Sequence, residues 1–163
     1  MSTQFADPST PYTVVTPCLI GTLLSEAKQA PLLRARLCLH SSLDNPLHEM
    51  IIAFWQGSYV PPHRHRGKTE SFHILTGEID VVFFAENGEL ASRVTLSAEN
   101  PILPRVYRLA QPLWHTVLIR SHSAVIHETT NGPFRPAETE TAAWAPDQND
   151  TEAIARFFAR VRA

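Results

Sequence analysis

Cysteine is nearly absent from this chain. Its 163 residues hold two, Cys18 and Cys38. Neither lies in a CxxC, which excludes a zinc ribbon and a thioredoxin-type redox motif. A disulfide framework is not expected either. The two cysteines read as buried thiols in a reducing cytosol, and the protein as cytoplasmic. An excess of positive charge is also missing: Lys plus Arg is 14, Asp plus Glu is 16, and the net charge is -2. Nucleic acid and anionic membrane are therefore not expected partners, and no helix-turn-helix is evident. No apolar stretch approaches the roughly 20 residues needed to span a bilayer. The N-terminus, MSTQFADPSTPYTVVTP, lacks the basic start and apolar run of a signal peptide.

What is present is an ordinary globular composition, 44% hydrophobic and 18% charged, with enough chain for one domain and terminal extensions. Eight histidines and thirteen prolines stand out. Prolines suit short strands and turns, because they fit neither helix interiors nor central strands. Residues 1–17 read as an extended arm, packing across a partner or across the barrel. Residues 19–30 predict a short amphipathic helix, capped by Thr22 and ended by Pro31. From Arg34 onward the pattern changes to short apolar runs cut by turn residues.

Strands are predicted near 34–40, 48–55, 71–76, 79–84, 91–96, 105–109, 115–120 and 123–129. Gly77–Glu78 and Glu86-Asn87-Gly88-Glu89 read as hairpin turns. Short strands at this regular spacing predict an all-β sandwich or barrel. Residues 131–149 are punctuated by proline. A final helix is predicted at 150–161, with Asn149 as N-cap and Ile154, Phe157, Phe158 and Val161 as its apolar stripe. The expected division is an arm and helix at 1–33, a barrel at 34–130 and an extension at 131–163.

The chemistry concentrates in residues 57–77, GSYVPPHRHRGKTESFHILTG. Residues i and i+2 of a strand share a face, so His63 and His65 stand side by side, Cα atoms roughly 6.6 Å apart. Arg66-Gly67-Lys68 lets the chain reverse, and Glu70 is expected to return on the neighbouring strand, facing the same interior. Three such ligands from one hairpin suit a first-row divalent metal. A fourth is expected from a distant strand facing them across the barrel. His115 is the candidate, opening the strand HTVLIR after the turn at Gln111-Pro112. Three imidazoles and one carboxylate leave metal positions open for water or substrate.

The skeleton Gly57, five residues, His63, one residue, His65, four residues, Glu70, six residues, Gly77 matches the first motif of the cupin superfamily. RARLCLH, the 57–84 region, WHTV, HETTNGPF and WAP together resemble the WbuC family of cupin-fold metalloproteins, over roughly residues 27 to 147. The resemblance implies a cupin (double-stranded β-helix, jelly-roll-like) barrel. It implies metal ligands at His63, His65, Glu70 and His115, and a link to bacterial surface-polysaccharide biosynthesis. One place departs from the family. Pro112 stands where its second motif has glycine, so a φ > 0 turn is not available there and the turn must be rebuilt. Ile119 replaces the asparagine that usually follows the histidine.

Other polar residues belong to the same reading. His73 has the opposite strand parity to Glu70 and is expected to face away. Arg36 and His40 share parity, and the resemblance places both in a family motif; they are candidates to bind an anionic or hydroxylated ligand. Lys68 is a candidate to steer an anion to the pocket mouth. Glu128, in HETTNGPF, is a candidate general base beside the metal. The expected cofactor is one divalent transition metal, Fe, Mn, Ni or Zn. The expected ligand is a small polar molecule such as a sugar or sugar nucleotide, acted on by a metal-dependent isomerase, epimerase or hydrolase. Alternatives are a non-catalytic binding or sensor cupin, an iron-dependent dioxygenase, a structural protein of a polysaccharide machine, and a metal-free epimerase. A homodimer is expected, because apolar outer sheet faces and the arm call for a partner surface.

Overall fold

A computed structural model of the chain describes residues 2–162. The chain order is β1 (Ser2–Phe5), α1 (Pro17–Gln29), β2 (Arg34–Cys38), β3 (Leu47–Trp55), β4 (His63–His65), β5 (Glu70–Thr76) and β6 (Glu78–Phe84). Then come β7 (Leu90–Ser97), β8 (Val106–Leu109), β9 (Trp114–Ile119), β10 (Ser123–Asn131), a 3₁₀ turn at Pro136–Glu138, β11 (Thr139–Thr141) and α2 (Thr151–Arg162). Every strand expected from the apolar runs is present. The strands form two facing sheets, one ordered β1-β2-β3-β10-β5-β8 and the other β11-β4-β9-β6-β7.

The period-two alternation of these strands builds three apolar layers. Met50, Ile52 and Phe54 of β3 meet Val81, Phe83 and Val117 between the sheets. The opposite parity, Ala35, Leu37, Ile51, Ala53 and Val125, faces outward and is covered by Leu23 and Ala27 of α1. On the other sheet, Val82, Phe84 and Leu118 face outward under Phe157 and Val161 of α2. A fully buried Phe or Val contributes about 1.5–3 kcal/mol, so each helix is held by its stripe rather than by propensity. The apolar outer faces that suggested a partner surface are thus covered by the chain's own helices.

Several local expectations are corrected. Thr16, not Thr22, caps α1: its hydroxyl accepts from the Leu19 amide, and Pro17 takes the first helical turn. Thr22 instead donates back to the Cys18 carbonyl. Asp150, not Asn149, caps α2 through the Ala153 amide. Both cysteines are free, but only Cys38 is buried; Cys18 is exposed. The arm supplies β1, which lies parallel to β2 on this chain's own sheet. The proline-rich segment at 131–149 supplies β11, paired with β4.

The turn at Asn87-Gly88 is the expected hairpin, joining the antiparallel β6 and β7. Gly77 is different. The strands it joins, β5 and β6, belong to different sheets, so it is a corner and not a hairpin. Its φ is 76°, and a Cβ there would lie 2.3 Å from the Ser123 carbonyl oxygen. Only glycine fits both the conformation and the space.

Candidate metal centre and cavity

β4 and β9 are antiparallel neighbours with His63 directly opposite His115. Two residues along β4, His65 faces the same way. Glu70 begins β5 on the opposite sheet. The expected geometry is therefore inverted: the sequence-distant histidine is the in-sheet neighbour, and the nearby glutamate reaches across the barrel. The Arg66-Gly67-Lys68 turn carries the chain from one sheet to the other, with Gly67 at φ 72°. Around Pro112 no residue has positive φ, and the turn closes with the Leu113 amide donating to the Gln111 carbonyl. The rebuilt turn still delivers His115 to the cluster.

One ring nitrogen from each of His63, His65 and His115 lies within 4.8 Å of the others. The second nitrogen of each ring is occupied. Nδ1 of His63 is 2.9 Å from the Pro61 carbonyl, and Nδ1 of His115 is 2.9 Å from the Leu113 carbonyl. Each of these bonds is to the residue two positions earlier. Nδ1 of His65 is 3.0 Å from the Thr139 hydroxyl of β11. Nδ1–H donation fixes the tautomer that leaves Nε2 unprotonated and facing inward.

Glu70 completes the group. Its Oε1 is 3.1 Å from His115 Nε2, and its Oε2 is 3.4 Å from His65 Nε2. Tyr107 donates to Oε1 at 3.1 Å. Even so, the buried Nε2 of His115 makes no directed hydrogen bond. Burial and the neighbouring His115 and His65 charges push His63 down to about 3, so it is neutral at pH 7. Burial alone would raise Glu70, but its contacts with His115 and His65 outweigh that and hold the carboxyl well below the usual range. For His115, burial works downward and the Glu70 carboxylate lifts the pKa above its ordinary value. Burial and Glu70 raise Tyr107. Inward-facing imidazole nitrogens beside a buried carboxylate fit a divalent transition metal, and the three-histidine group is compatible with one.

The cluster opens onto a cavity of about 420 Å³ between the sheets. Arg36, His40, Lys68 and Glu128 all line it. Burial and the Glu70 charge push Glu128 up to about 8, against the pull of Arg36 and His115. His40 stacks flat on His48, ring centroids 4.0 Å apart. Lys68 donates to the Pro133 carbonyl and lies 3.5 Å from Glu138, so its ammonium pins the 131–141 segment over the cavity. His73 is exposed, on the outer side of its strand, as its parity predicts.

Three cavity or cluster residues escaped the sequence reading. Arg34 shares the parity of Arg36 and could have been found from it. Tyr107 lies directly opposite Phe72 on β8, a pairing that follows only from knowing that β5 and β8 are neighbours. Thr139 sits in a three-residue strand hidden among prolines.

No curated protein matches the sequence. Among solved structures, the capsular polysaccharide assembling protein CapF from Staphylococcus aureus matches with TM-score 0.54 and 17% identity. That match covers 65% of this chain and 29% of CapF, so this chain spans under a third of CapF's length. The SO0799 protein from Shewanella oneidensis matches with TM-score 0.57 and 11% identity over 78% of this chain and 83% of that one. A cupin superfamily protein from Desulfitobacterium hafniense matches with TM-score 0.46 and 15% identity over 60% and 76% of the two chains. At such identities a likeness speaks for fold alone. The two facing sheets, joined at Gly77, bear out the expected all-β fold and are consistent with a cupin barrel. The family model for a domain of unknown function, DUF6016, matches residues 15–96, half of the chain, and the protein belongs to that family.

Proposed function

We propose that this protein is a metal-dependent cupin acting on a small polar molecule, such as a sugar or sugar nucleotide, held in the cavity. His63, His65, His115 and Glu70 would hold one divalent transition metal ion. The observation that carries the reading is the convergence of three ring nitrogens within 4.8 Å, each ring already tied through its other nitrogen. His115 Nε2 makes no directed hydrogen bond and its near neighbour is the Glu70 carboxylate at 3.1 Å, so ring nitrogens and a buried carboxylate crowd one point that a cation would satisfy. A metal bound there supplies Lewis acidity or, if it is iron, redox chemistry with oxygen.

The protein's own groups supply the rest. Glu128, with its carboxyl pushed up to about 8, can hold or release a proton near neutral pH and is the proposed general base. Arg36 and His40 are proposed to bind the ligand from the β2 side. Lys68 contributes by holding the mouth segment through Glu138 and Pro133. A role in surface-polysaccharide metabolism is supported by the WbuC resemblance and by the fold shared with CapF, a capsular polysaccharide assembling protein.

The test is elemental analysis of purified protein beside a His63→Ala, Glu70→Ala double variant. About one equivalent of a transition metal is expected in the first and none in the second. Wild-type protein that holds no metal after reconstitution would overturn the proposal.

A further inference from the structure

The inward face of β2 is unlike the rest of the barrel interior. Ala35 and Leu37 face α1, while Arg34 and Arg36 face the cavity. Two guanidinium groups thus leave one strand face from Cα positions roughly 6.6 Å apart. The neighbouring inward face of β3 is apolar: Met50, Ile52 and Phe54.

Among the described residues neither arginine forms an ion pair. Arg34 donates to the Tyr59 carbonyl at 3.2 Å, and its Nε is buried without any partner. Arg36 donates to the Thr3 hydroxyl at 3.1 Å and otherwise reaches only the sulfur of Met50, a weak acceptor, at 4.0 Å. Four other arginines do pair: Arg64 and Arg66 meet Glu140, and Arg93 and Arg120 meet Asp80. Burial and the adjacent Arg36 charge lower the Arg34 pKa, so the Arg34 cation sits at a cost that a neighbouring anion would relieve.

We infer that Arg34 and Arg36 bind the anionic group, a phosphate or a carboxylate, of the small molecule whose other end meets the histidine cluster. Strand order supports the arrangement. β10 carries Glu128 and stands between the β2–β3 pair and β5, which carries Glu70. The Glu128 carboxyl feels Glu70 and His115 on one side and Arg36 on the other. A ligand anchored at the arginines and reaching the cluster would therefore pass Glu128. Planar guanidinium forks suit the oxygens of phosphate and carboxylate, which they bind bidentately. A cavity of about 420 Å³ suits a small molecule rather than a polymer. The inference rests on the proposed metal site only for the identity of the ligand's far end.

The experiment is titration of the metal-free full-length protein with inorganic phosphate and, separately, with acetate. Sodium chloride at matched ionic strength is the control, and calorimetry and thermal melting are the readouts. Saturable binding of one anion beyond the salt control is expected, weakened at least tenfold in Arg36→Met. Phosphate as the stronger ligand assigns a phosphorylated substrate; acetate assigns a carboxylate. Should Arg36→Met not fold, Arg36→Lys keeps the charge and loses the fork, and the same weakening is expected. Binding no stronger than chloride, or unchanged in the folded Arg36 variants, overturns the inference. His63→Ala should keep anion binding while losing metal. Failure of the metal proposal therefore leaves this result standing, and its own failure leaves metal content untouched.

Discussion

Two buried carboxylates, Glu70 at 3% exposure and Asp80 at 2%, have opposite kinds of surroundings. Asp80, on the outward face of β6, accepts from the Thr95 hydroxyl at 2.7 Å and from Arg120 and Arg93 at 3.1 and 3.3 Å. Arg93 also donates to the Val161 carbonyl, tying the network to the last turn of α2. Every charge there has a protein partner, although the site borders a surface groove of about 740 Å³, larger than the inner cavity. Glu70 faces three imidazoles, one of them with a buried nitrogen that makes no directed hydrogen bond, in a cavity that also holds two arginines without an ion pair among the described residues. Volume does not separate the two places. The difference is in the kind of group gathered: Asp80 meets two arginines and a hydroxyl that satisfy it, whereas Glu70 meets three inward ring nitrogens, the pattern expected if a cation is to be held there.

The comparison is sharpest when both acids are neutralised. Glu70→Gln should abolish stoichiometric metal binding while the protein stays folded, checked by elemental analysis and circular dichroism. Asp80→Asn should do the reverse: metal content unchanged, and stability lower by about 3 kcal/mol in urea unfolding. That figure is the low end for a broken buried pair, because both arginines reach solvent. If Asp80→Asn loses metal, or Glu70→Gln unfolds, the distinction fails. Thr139→Val removes the oxygen beside His65 Nδ1 and leaves every proposed ligand in place. Metal affinity should drop roughly tenfold in a competition titration with a chelator.

A different kind of readout comes from Glu128. In the metal-free folded protein it keeps its proton up to about pH 8, whereas its ordinary pKa is 4.5. The folded state then binds more protons across that window, so stability falls as pH rises from 4.5 through 8. Glu128→Gln should flatten the contribution, read from unfolding midpoints at pH 5, 6.5 and 8. An unchanged slope would mean that Glu128 ionises normally and is unsuited to the role given it here.

Much of this was legible in the sequence, because strand alternation is local. The parity of His63 with His65, and of Glu70 against His73, follows from period two alone, and β3, β6 and β9 are legible as continuous apolar runs. Strand partnership is not local. A glycine between two apolar runs, as at Gly77, signals a turn; whether the chain then folds back or crosses to the facing sheet is set by strand partnership, which the local pattern does not carry. The same limit placed Glu70 beside His65 and His115 across from it, the reverse of what the sheets show. β11 is three residues long, and its signal, Thr-Glu-Thr, is too short to stand out from the surrounding prolines. The Thr16 cap has a local signal, because a threonine followed by proline is a sound helix start.

The lateness of β11 in the chain has a consequence for synthesis. His63, His65, Glu70 and His115 all leave the ribosome before Thr139 does. A growing chain therefore carries every proposed donor while His65 still lacks the hydroxyl that fixes its ring and Arg64 and Arg66 still lack Glu140. The strand that supplies both also covers the open edge of β4. An ion taken up at the proposed site would therefore meet a fully steadied His65 only after β11 has been made and has paired with β4.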